Sequence, residues 1–333
     1  MTTIHWQAGE RPIGDSVTTR NTSEVCVLLS CFRGQDFISS QAESIAQQTG
    51  VGIQVVFHMD EECSSTESLV RLWLPNAQRQ VPPVGLGLPQ AFFALVAAAS
   101  DTAAYYAFSD QDDVWEPNKL ARAVAALCEE GDQPTLWVCR IAPFRHKTGE
   151  FLPVHPRRIP HPSFGNALVE TIAPGCAMVW NRALQEILLK GLPVEDALMH
   201  DSWTYLVASA FGRVMVEPEP LVHYRVHDNN TVGIRNDVRS RTRRFKQLFA
   251  SDAGPTLATQ ASAFVNAYGP RMTPRQLNTA MAVAESRRFS LALGWLRGEL
   301  VRQNRLENLL LLTRLLLAPR TRDGSSPRDD SQD

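Results

Sequence analysis

The sequence of 333 residues lacks a long hydrophobic run, a secretory leader and an excess of basic charge. No stretch reaches the ~18 consecutive apolar residues that a membrane-spanning helix needs. Residues 1–24 contain Arg11 and Arg20 but no apolar core of the kind that signal peptides carry, so we expect a flexible leader there. The formal net charge of -2 argues against nucleic acid as a partner.

Cysteine is scarce, and its spacing contains no C-x-x-C pair. The six cysteines are scattered, several of them inside apolar runs, at positions 26, 31, 63, 128, 139 and 176. This usage is typical of reduced thiols that pack as small hydrophobes, and it predicts a cytoplasmic protein. With 44% hydrophobic residues, the chain can bury one large core or two ordinary ones.

Apolar runs alternate with helical periodicity over the first half of the chain. The run at 25–31 is continuously apolar, which predicts a strand buried on both faces of a sheet. A helix follows from Asp36 to about Gly50. Further strands are predicted at 53–58, 104–109 and 135–139, a polar loop after residue 58, and helices at 91–100 and 119–129. This alternation predicts a doubly wound α/β sheet, which binds ligands beyond the carboxyl ends of its strands.

The second half of the chain is less regular. Segment 144–162 is rich in Pro, His and Arg and predicts an irregular insertion, after which order resumes at 178–184. A helix begins near His200, and two short strands follow at 213–217 and 221–224. The organisation that we predict is a folded domain at 25–237, a helical extension at 238–320 and a disordered tail at 321–333.

Three carboxylates follow the strand predicted at 104–109, namely Asp110, Asp112 and Asp113 in the segment SDQDDVW. A bound cation would relieve the repulsion among them, and oxygen-rich clusters suit Mg²⁺ or Mn²⁺. The alternative is a solvated acidic turn that caps the helix beginning near Pro117. Spacing alone favours neither interpretation.

Two reactions use a D-x-D pair at the end of an apolar strand. In one, a cation on the pair neutralises the diphosphate of a nucleotide-sugar as the sugar is transferred. In the other, Asp110 is the nucleophile of an aspartyl-phosphate phosphatase and Asp112 is its acid and base. The phosphatase expects the pair after the first strand, whereas here it follows the third predicted strand. The phosphatase is therefore the weaker hypothesis.

Several segments in order resemble the family-2 inverting glycosyltransferases of the GT-A fold, in particular the rhamnosyltransferase-like members. The similar segments are LLSCFRGQDFISSQAESIAQQT, SDQDDVWEPNKL, APGCAMVWNRAL, HDSWTYLVASAFG and EPLVHYRVHDNNTVG, which lie between about residues 25 and 233. The resemblance implies a GT-A fold, a Rossmann-like mixed sheet flanked by helices. It also implies a nucleotide-sugar donor, a divalent cation and one in-line displacement with inversion.

The resemblance assigns roles to particular residues. Asp201 falls on the position of the general base that removes the proton of the acceptor hydroxyl, although Asp before a helix is also a common N-cap. Asp110 and Asp112 match the D-x-D pair, and the resemblance makes Asp113 either a second metal ligand or a residue that orients the other ligands. Donor contacts are implied for six residues, which are Ser30, Asp60, Asp110, Gly175, Arg225 and His227. Of these, Arg225 and His227 match positions near the pyrophosphate, and Gly175 faces the donor sugar.

The loop after the second predicted strand departs from the family pattern. Where the family carries DDGSSD to hold the base and ribose, this chain reads HMDEECSST over residues 58–66. Asp60 is well placed to keep a nucleoside contact, and Glu61 or Glu62 could replace the missing ones. The departure motivates a second hypothesis, a catalytically impaired protein that binds nucleotide-sugars or serves as a scaffold.

The C-terminal region combines basic and leucine-rich segments. VRSRTRRFKQLF (238–249) precedes LENLLLLTRLLLAPR (306–320), a pattern that suits an anionic membrane surface carrying a lipid-linked acceptor. The alternative is packing on the catalytic domain or on another subunit. The sequence thus predicts a cytoplasmic hexosyltransferase of polysaccharide biosynthesis. It would lie at the inner face of the membrane if these C-terminal segments bind there. Its acceptor would be a glycan or a lipid-linked glycan, and rhamnose is one candidate for the transferred sugar.

Overall fold

The computed structural model describes residues 24–80, 85–192, 194–227, 255–304 and 308–309. Within these residues, one eight-stranded sheet is flanked by helices. The strands are β1 (Glu24–Cys31), β2 (Gly52–Met59), β3 (Gln78–Gln80), β4 (Tyr105–Ser109), β5 (Val114–Trp115), β6 (Thr135–Arg145), β7 (Met178–Asn181) and β8 (Arg213–Val226). The helices are α1 (Ile38–Ala46), α2 (Ser64–Trp73), α3 (Gln90–Ala98), α4 (Lys119–Cys128), α5 (Phe164–Ala167), α6 (Arg182–Lys190), α7 (His200–Phe211), α8 (Leu257–Tyr268), α9 (Pro274–Ala284) and α10 (Arg288–Leu296).

The sheet is mixed, with the strand order β3-β2-β1-β4-β7-β6-β8-β5. Strand β1 runs parallel to β2 and β4, whereas β7 runs antiparallel to β4 and β6. The register pairs Cys31 with Met59, and Leu29 with Ser109. The carboxyl ends of β1, β2 and β4 therefore meet at one edge of the sheet, where the predicted donor and metal residues follow them.

The central strands are buried on both faces, as predicted. Residues 25–29 of β1 have no exposed surface, and every residue of β4 is buried. Burying such a run on both faces removes its apolar surface from water, which contributes roughly 1.5–3 kcal/mol for each large side chain. The prediction of a mixed α/β sheet flanked by helices is confirmed.

Three local predictions were wrong. Helix α2 and the short strand β3 lie where a polar loop was predicted, because α2 buries only Thr66 and Val70 and so has a weak apolar signature. Strand β6 continues to Arg145, into the predicted irregular insertion, because it pairs with β8 as far as Arg145 opposite Val226. The strand tolerates Pro143, since the carbonyl of that residue still accepts a hydrogen bond, from the N–H of Leu152.

The third local error concerns β8. The two short strands predicted at 213–217 and 221–224 are one strand, Arg213–Val226. An irregularity in the pairing of β6 with β8 lies between Cys139 and Ile141, where the register shifts. The pairing skips residues 218 and 219 and resumes at Pro220, which lies opposite Arg140.

The described part of the helical extension packs on the sheet domain. The ring of Trp203 on α7 lies 5.7 Å from that of Phe264 on α8, and the Tyr268 hydroxyl donates to the carbonyl of Ile187 at 2.9 Å. Among the described helices, none has the length and apolar character needed to cross a membrane. Residues 1–23, the basic arm at 238–249, most of 306–320 and the tail lie outside the described residues.

Candidate active site

A cavity of about 830 Å³ opens at the carboxyl ends of β1, β2 and β4. Seven of the residues singled out in the sequence line it, which are Ser30, Asp60, Asp110, Asp112, Gly175, Asp201 and His227. The other two, Asp113 and Arg225, are not among the lining residues. A second hollow of about 440 Å³, lined in part by Lys190 and Asp196, contains none of the nine.

Asp201 is the second residue of α7 and lines the cavity. The helix begins at His200 after the N-cap Met199, so the alternative that Asp201 is the N-cap was wrong. Its Oδ1 accepts a hydrogen bond of 2.6 Å from the backbone N–H of Ser202. Burial raises the pKa of Asp201 to about 6, and hydrogen bonds from the backbone of Ser202 and of Asp201 itself oppose this shift. A carboxylate with that pKa is basic enough to accept a proton near neutral pH.

The start of α7 is held by Gln260 on α8, a residue that no sequence pattern singled out. Its Oε1 accepts from the backbone N–H of Leu198 at 2.9 Å and lies 3.0 Å from the hydroxyl of Ser202. Gln260 is buried, and 58 residues separate it from Ser202. The helical extension therefore fixes the turn that presents Asp201.

Asp112 and His227 both line the cavity and contact each other. His227 Nε2 lies 2.8 Å from Asp112 Oδ2, and the imidazole stacks on Phe37 with ring centroids 4.7 Å apart. The pair offers a carboxylate oxygen and an imidazole nitrogen, which are both ligands of Mn²⁺ and related ions. Because both residues line the cavity, this pair is one candidate site for a cation.

Arg225 donates hydrogen bonds to the D-x-D segment and to α1. Its Nε donates to the carbonyl of Asp112 at 2.8 Å, its backbone N–H to Asp113 Oδ1 at 3.2 Å, and its Nη2 to Ser40 Oγ at 3.0 Å. The guanidinium also lies over the rings of Phe37 and Phe144. These contacts fix the backbone that carries Asp112, and a contact of Arg225 with the pyrophosphate stays a prediction.

A second candidate group joins Asp110, which lines the cavity, to Asp113 and Cys176, which are buried behind it. Single ligand atoms of Asp110, Asp113 and Cys176 lie within 4.8 Å of one another. Burial raises the pKa of Asp113 to about 7, and the charge of Asp112 adds to this effect. Burial, followed by the charges of Asp113 and Asp112, also raises the pKa of Asp110. The three aspartates therefore repel one another, as the sequence suggested. None of them lies in the first turn of α4, which begins after the N-cap Asn118, so the helix-capping alternative is excluded.

A buried ammonium group lies beside this second group. Lys119 has no exposed surface, and its Nζ donates to the carbonyl of Cys176 at 2.7 Å and lies 3.2 Å from the centre of the Trp115 ring. Burial lowers the pKa of Lys119 to about 8, while the nearby thiols and carboxylates oppose that shift. Its positive charge offsets part of the charge of Asp110 and Asp113.

The end of the cavity at β2 is lined by Asp60 and apolar side chains. Both carboxylate oxygens of Asp60 accept from the backbone N–H of Gly87 at 3.1 Å. Phe32 and Leu88 also line the cavity, and both are large apolar side chains with exposed surface. Glu61 pairs with Arg33 at 2.6 Å, and Glu62 pairs with Arg79. Neither Glu61 nor Glu62 is among the lining residues.

Sequence comparison finds relatives that are named as glycosyltransferases. An uncharacterized glycosyltransferase of Nostoc sp. is 22% identical over 245 residues, which are 71% of this chain and 74% of the relative. The dTDP-rhamnosyl transferase RfbG of Shigella flexneri is 22% identical over 232 residues, which are 65% of this chain and 77% of that protein. No protein-family model matches the sequence.

Structure comparison finds the same architecture in TarS of S. aureus. Its residues 1-349 match with a TM-score of 0.53 and 14% identity, over 88% of this chain and 79% of that one. A longer TarS structure gives the same score of 0.53, and the match covers 44% of its length. The complex of TarS 1-349 with UDP matches with a TM-score of 0.51 and 15% identity. At these identities the comparison shows the fold, a GT-A-type mixed sheet flanked by helices.

Proposed function

We propose that this protein is a metal-dependent, inverting glycosyltransferase that moves a sugar from a nucleoside diphosphate to an acceptor hydroxyl. One observation carries the proposal: Asp201 lines the same cavity as Asp110 and Asp112. Direct displacement needs a base for the acceptor proton together with positive charge at the departing diphosphate. The names of the sequence relatives support the transfer of a sugar.

Asp201 is the proposed general base. Its carboxylate accepts the proton of the acceptor hydroxyl as that oxygen attacks the anomeric carbon from the face opposite the nucleotide. The oxygen to anomeric carbon bond forms, the bond from the anomeric carbon to the diphosphate breaks, and the configuration inverts. The hydrogen bond from Ser202 N–H and the support of Gln260 hold the carboxylate toward the cavity.

Asp112 and His227 are the residues that we propose to hold the cation, with Asp110 beside them. Bound Mg²⁺ or Mn²⁺ would neutralise the charge of the leaving nucleoside diphosphate. The buried group of Asp110, Asp113 and Cys176 is the weaker choice, because Asp113 and Cys176 are not lining residues and could not place a cation against a diphosphate. Burial also raises the pKa of the Cys176 thiol well above its usual range, which opposes ligation by a thiolate.

The donor that we propose is dTDP-rhamnose. A carboxylate such as Asp60 only accepts hydrogen bonds, which suits the ring N–H of thymine or uracil. Phe32 and Leu88 offer apolar surface beside it for a flat base. The similarity to a dTDP-rhamnosyl transferase favours thymine and rhamnose. The acceptor would be a glycan or a lipid-linked glycan of polysaccharide assembly.

A screen of nucleotide-sugars tests the proposal. We expect dTDP-rhamnose with Mn²⁺ to raise the melting temperature by about 5 °C at a hundredfold excess over Kd, and to be hydrolysed slowly without acceptor. The same donor in EDTA should give neither effect. A panel of dTDP-, UDP- and GDP-sugars that neither stabilises the protein nor is turned over would contradict the proposed function.

A second candidate is a protein that binds nucleotide-sugars without turnover. It is motivated by the changed loop after β2, in which Glu61 and Glu62 are engaged by arginines. This candidate predicts stabilisation by donor and Mn²⁺ with no hydrolysis and no transfer. The same screen therefore separates the two candidates.

A further inference from the structure

Neither ring nitrogen of His200 has a hydrogen-bond partner among the described residues. The side chain is 3% exposed, so water does not replace the missing partners at its surface. The ring stacks on Phe92 with centroids 3.8 Å apart and meets the edge of Phe108 at 4.8 Å. A polar ring is thus enclosed by aromatic carbon.

This environment does not explain why the residue is a histidine. An apolar side chain would make similar contacts with Phe92 and Phe108, and it would leave no buried polar atom without a partner. Unpaired buried polar groups destabilise a fold, and they are rare in native proteins. The two nitrogens of His200 therefore point to a partner outside the described residues, and its position in the cavity favours a bound ligand.

His200 lies where a substrate would supply that partner. It lines the cavity together with Asp112, and it directly precedes Asp201 in α7. Gly175, which also lines the cavity, lies against the ring, and a Cβ at residue 175 would be 2.3 Å from His200 Nε2. Gly175 therefore covers Nε2 on this side, and a side chain at residue 175 would block the nitrogen, whereas a shift of the glycine backbone would open it to the cavity.

We propose that His200 hydrogen-bonds a hydroxyl group of the donor sugar and so determines which sugar is accepted, an inference that rests on the proposed function. A neutral imidazole carries one N–H donor and one acceptor nitrogen, and a sugar hydroxyl both donates and accepts. Burial lowers the pKa of His200 to about 3, which keeps the ring neutral at physiological pH. A neutral ring also leaves the charge of Asp201 unpaired for the acceptor proton.

The test compares binding of the sugar with binding of the nucleotide alone. The donor is the nucleotide-sugar that most stabilises the wild type in the screen above, and the reference ligand is its parent nucleoside diphosphate, both with Mn²⁺. His200→Phe keeps an aromatic ring and removes both nitrogens. His200→Leu does the same with less volume, in case the larger ring does not fit beside Gly175. Ser209→Ala, on the same helix and outside the cavity, is the control.

We expect His200→Phe and His200→Leu to raise the donor Kd about threefold to tenfold. The Kd of the nucleoside diphosphate and the values for the Ser209→Ala variant should stay unchanged. The melting temperature of at least one His200 variant should equal or exceed that of the wild type, because the unpaired nitrogens are gone. His200→Gln, which retains a donor and an acceptor, should recover part of the donor affinity.

Three results would overturn the assignment. One is an unchanged donor Kd in both variants, and another is an equal loss of affinity for the nucleoside diphosphate. The third is a weaker donor affinity that is accompanied in every His200 variant by a lower melting temperature, which would make His200 a packing residue. If no nucleotide-sugar binds the wild type, the proposed function fails and the role of His200 fails with it. If the wild type binds and the variants bind equally well, only the role of His200 fails.

Discussion

His227 Nε2 lies 2.8 Å from Asp112 Oδ2, although 115 residues separate them in the chain. The sheet brings them together, because β5 directly follows the D-x-D segment and pairs with β8, with Val114 opposite His223 and Trp115 opposite Val222. His227 follows the end of β8. Pairing of these two strands therefore places the imidazole beside the carboxylate.

Removing His227 should weaken cation binding. We expect His227→Ala to lower the affinity for Mn²⁺ about 10- to 100-fold, because one ligand beside Asp112 is lost. Titration of Mn²⁺ by electron paramagnetic resonance measures this directly, with turnover against Mn²⁺ concentration as a second readout. His223→Gln is a matched control, since His223 pairs with Glu116 at 2.8 Å and does not line the cavity. Equal Mn²⁺ affinities for wild type and His227→Ala would contradict the assignment.

Turnover should depend on pH through Asp201. The base works only when ionised, and burial raises its pKa to about 6. We therefore expect kcat/KM to rise about tenfold per pH unit below pH 6 and to level off above it. Initial rates from pH 4.5 to 8.5 at saturating Mn²⁺ measure the profile. A profile that is flat between pH 4.5 and 6.5, in an enzyme that remains folded, would exclude Asp201 as the base.

Asp113→Asn should stabilise the metal-free protein at high pH. The folded-state pKa of Asp113, about 7, lies above its unfolded value, so the folded state holds the proton more tightly. Its contribution to stability is present below about pH 4 and is lost as pH rises through 7. Because asparagine does not ionise, the Asp113→Asn variant should keep this stability as the pH rises.

We expect the free energy of unfolding of Asp113→Asn in EDTA to exceed that of the wild type by on the order of 1–3 kcal/mol at pH 8. At pH 4.5 the difference should be small. Urea unfolding at the two pH values measures this. A variant that is less stable than the wild type at pH 8 would mean that the hydrogen bond from Arg225 N–H to the ionised carboxylate outweighs its burial.

Gly175→Ala should impair the cavity specifically. The added Cβ would lie 2.3 Å from His200 Nε2, so the ring or the segment around residue 175 must shift. Gly191→Ala is the matched control, because its Cβ would lie 2.1 Å from the Tyr268 hydroxyl, outside the cavity. Both variants should lose about 1–3 kcal/mol of stability. Only Gly175→Ala should also raise the donor Kd, and equal donor Kd values for the two variants would contradict this role.

Much of the fold follows from local pattern. Two-sided burial of β1 and β4 is visible as continuous apolar runs, and the helix predicted to begin near His200 is α7. Helix α2 was missed because most of its residues are polar. The continuity of β8 was missed because the effect of a proline in a strand depends on the neighbouring strand.

The site was less accessible to sequence reasoning. The resemblance selected residues that the structure brings to one cavity, such as Asp112, Asp201 and His227. It could not tell that Arg225 would contact the backbone of Asp112, or that Gln260 would support the turn before Asp201. Those contacts join segments that are far apart in the chain, and no local spacing encodes them.

The most direct test of the account is the effect of Asp201→Asn on sugar transfer and on donor binding. We expect kcat to fall by about 10²–10⁴-fold, while the Kd of the donor with Mn²⁺ stays within about threefold of the wild type. Asp196→Asn, a change of the same kind outside the cavity, should retain full activity. An Asp201→Asn enzyme that transfers sugar at the wild-type rate would contradict the account.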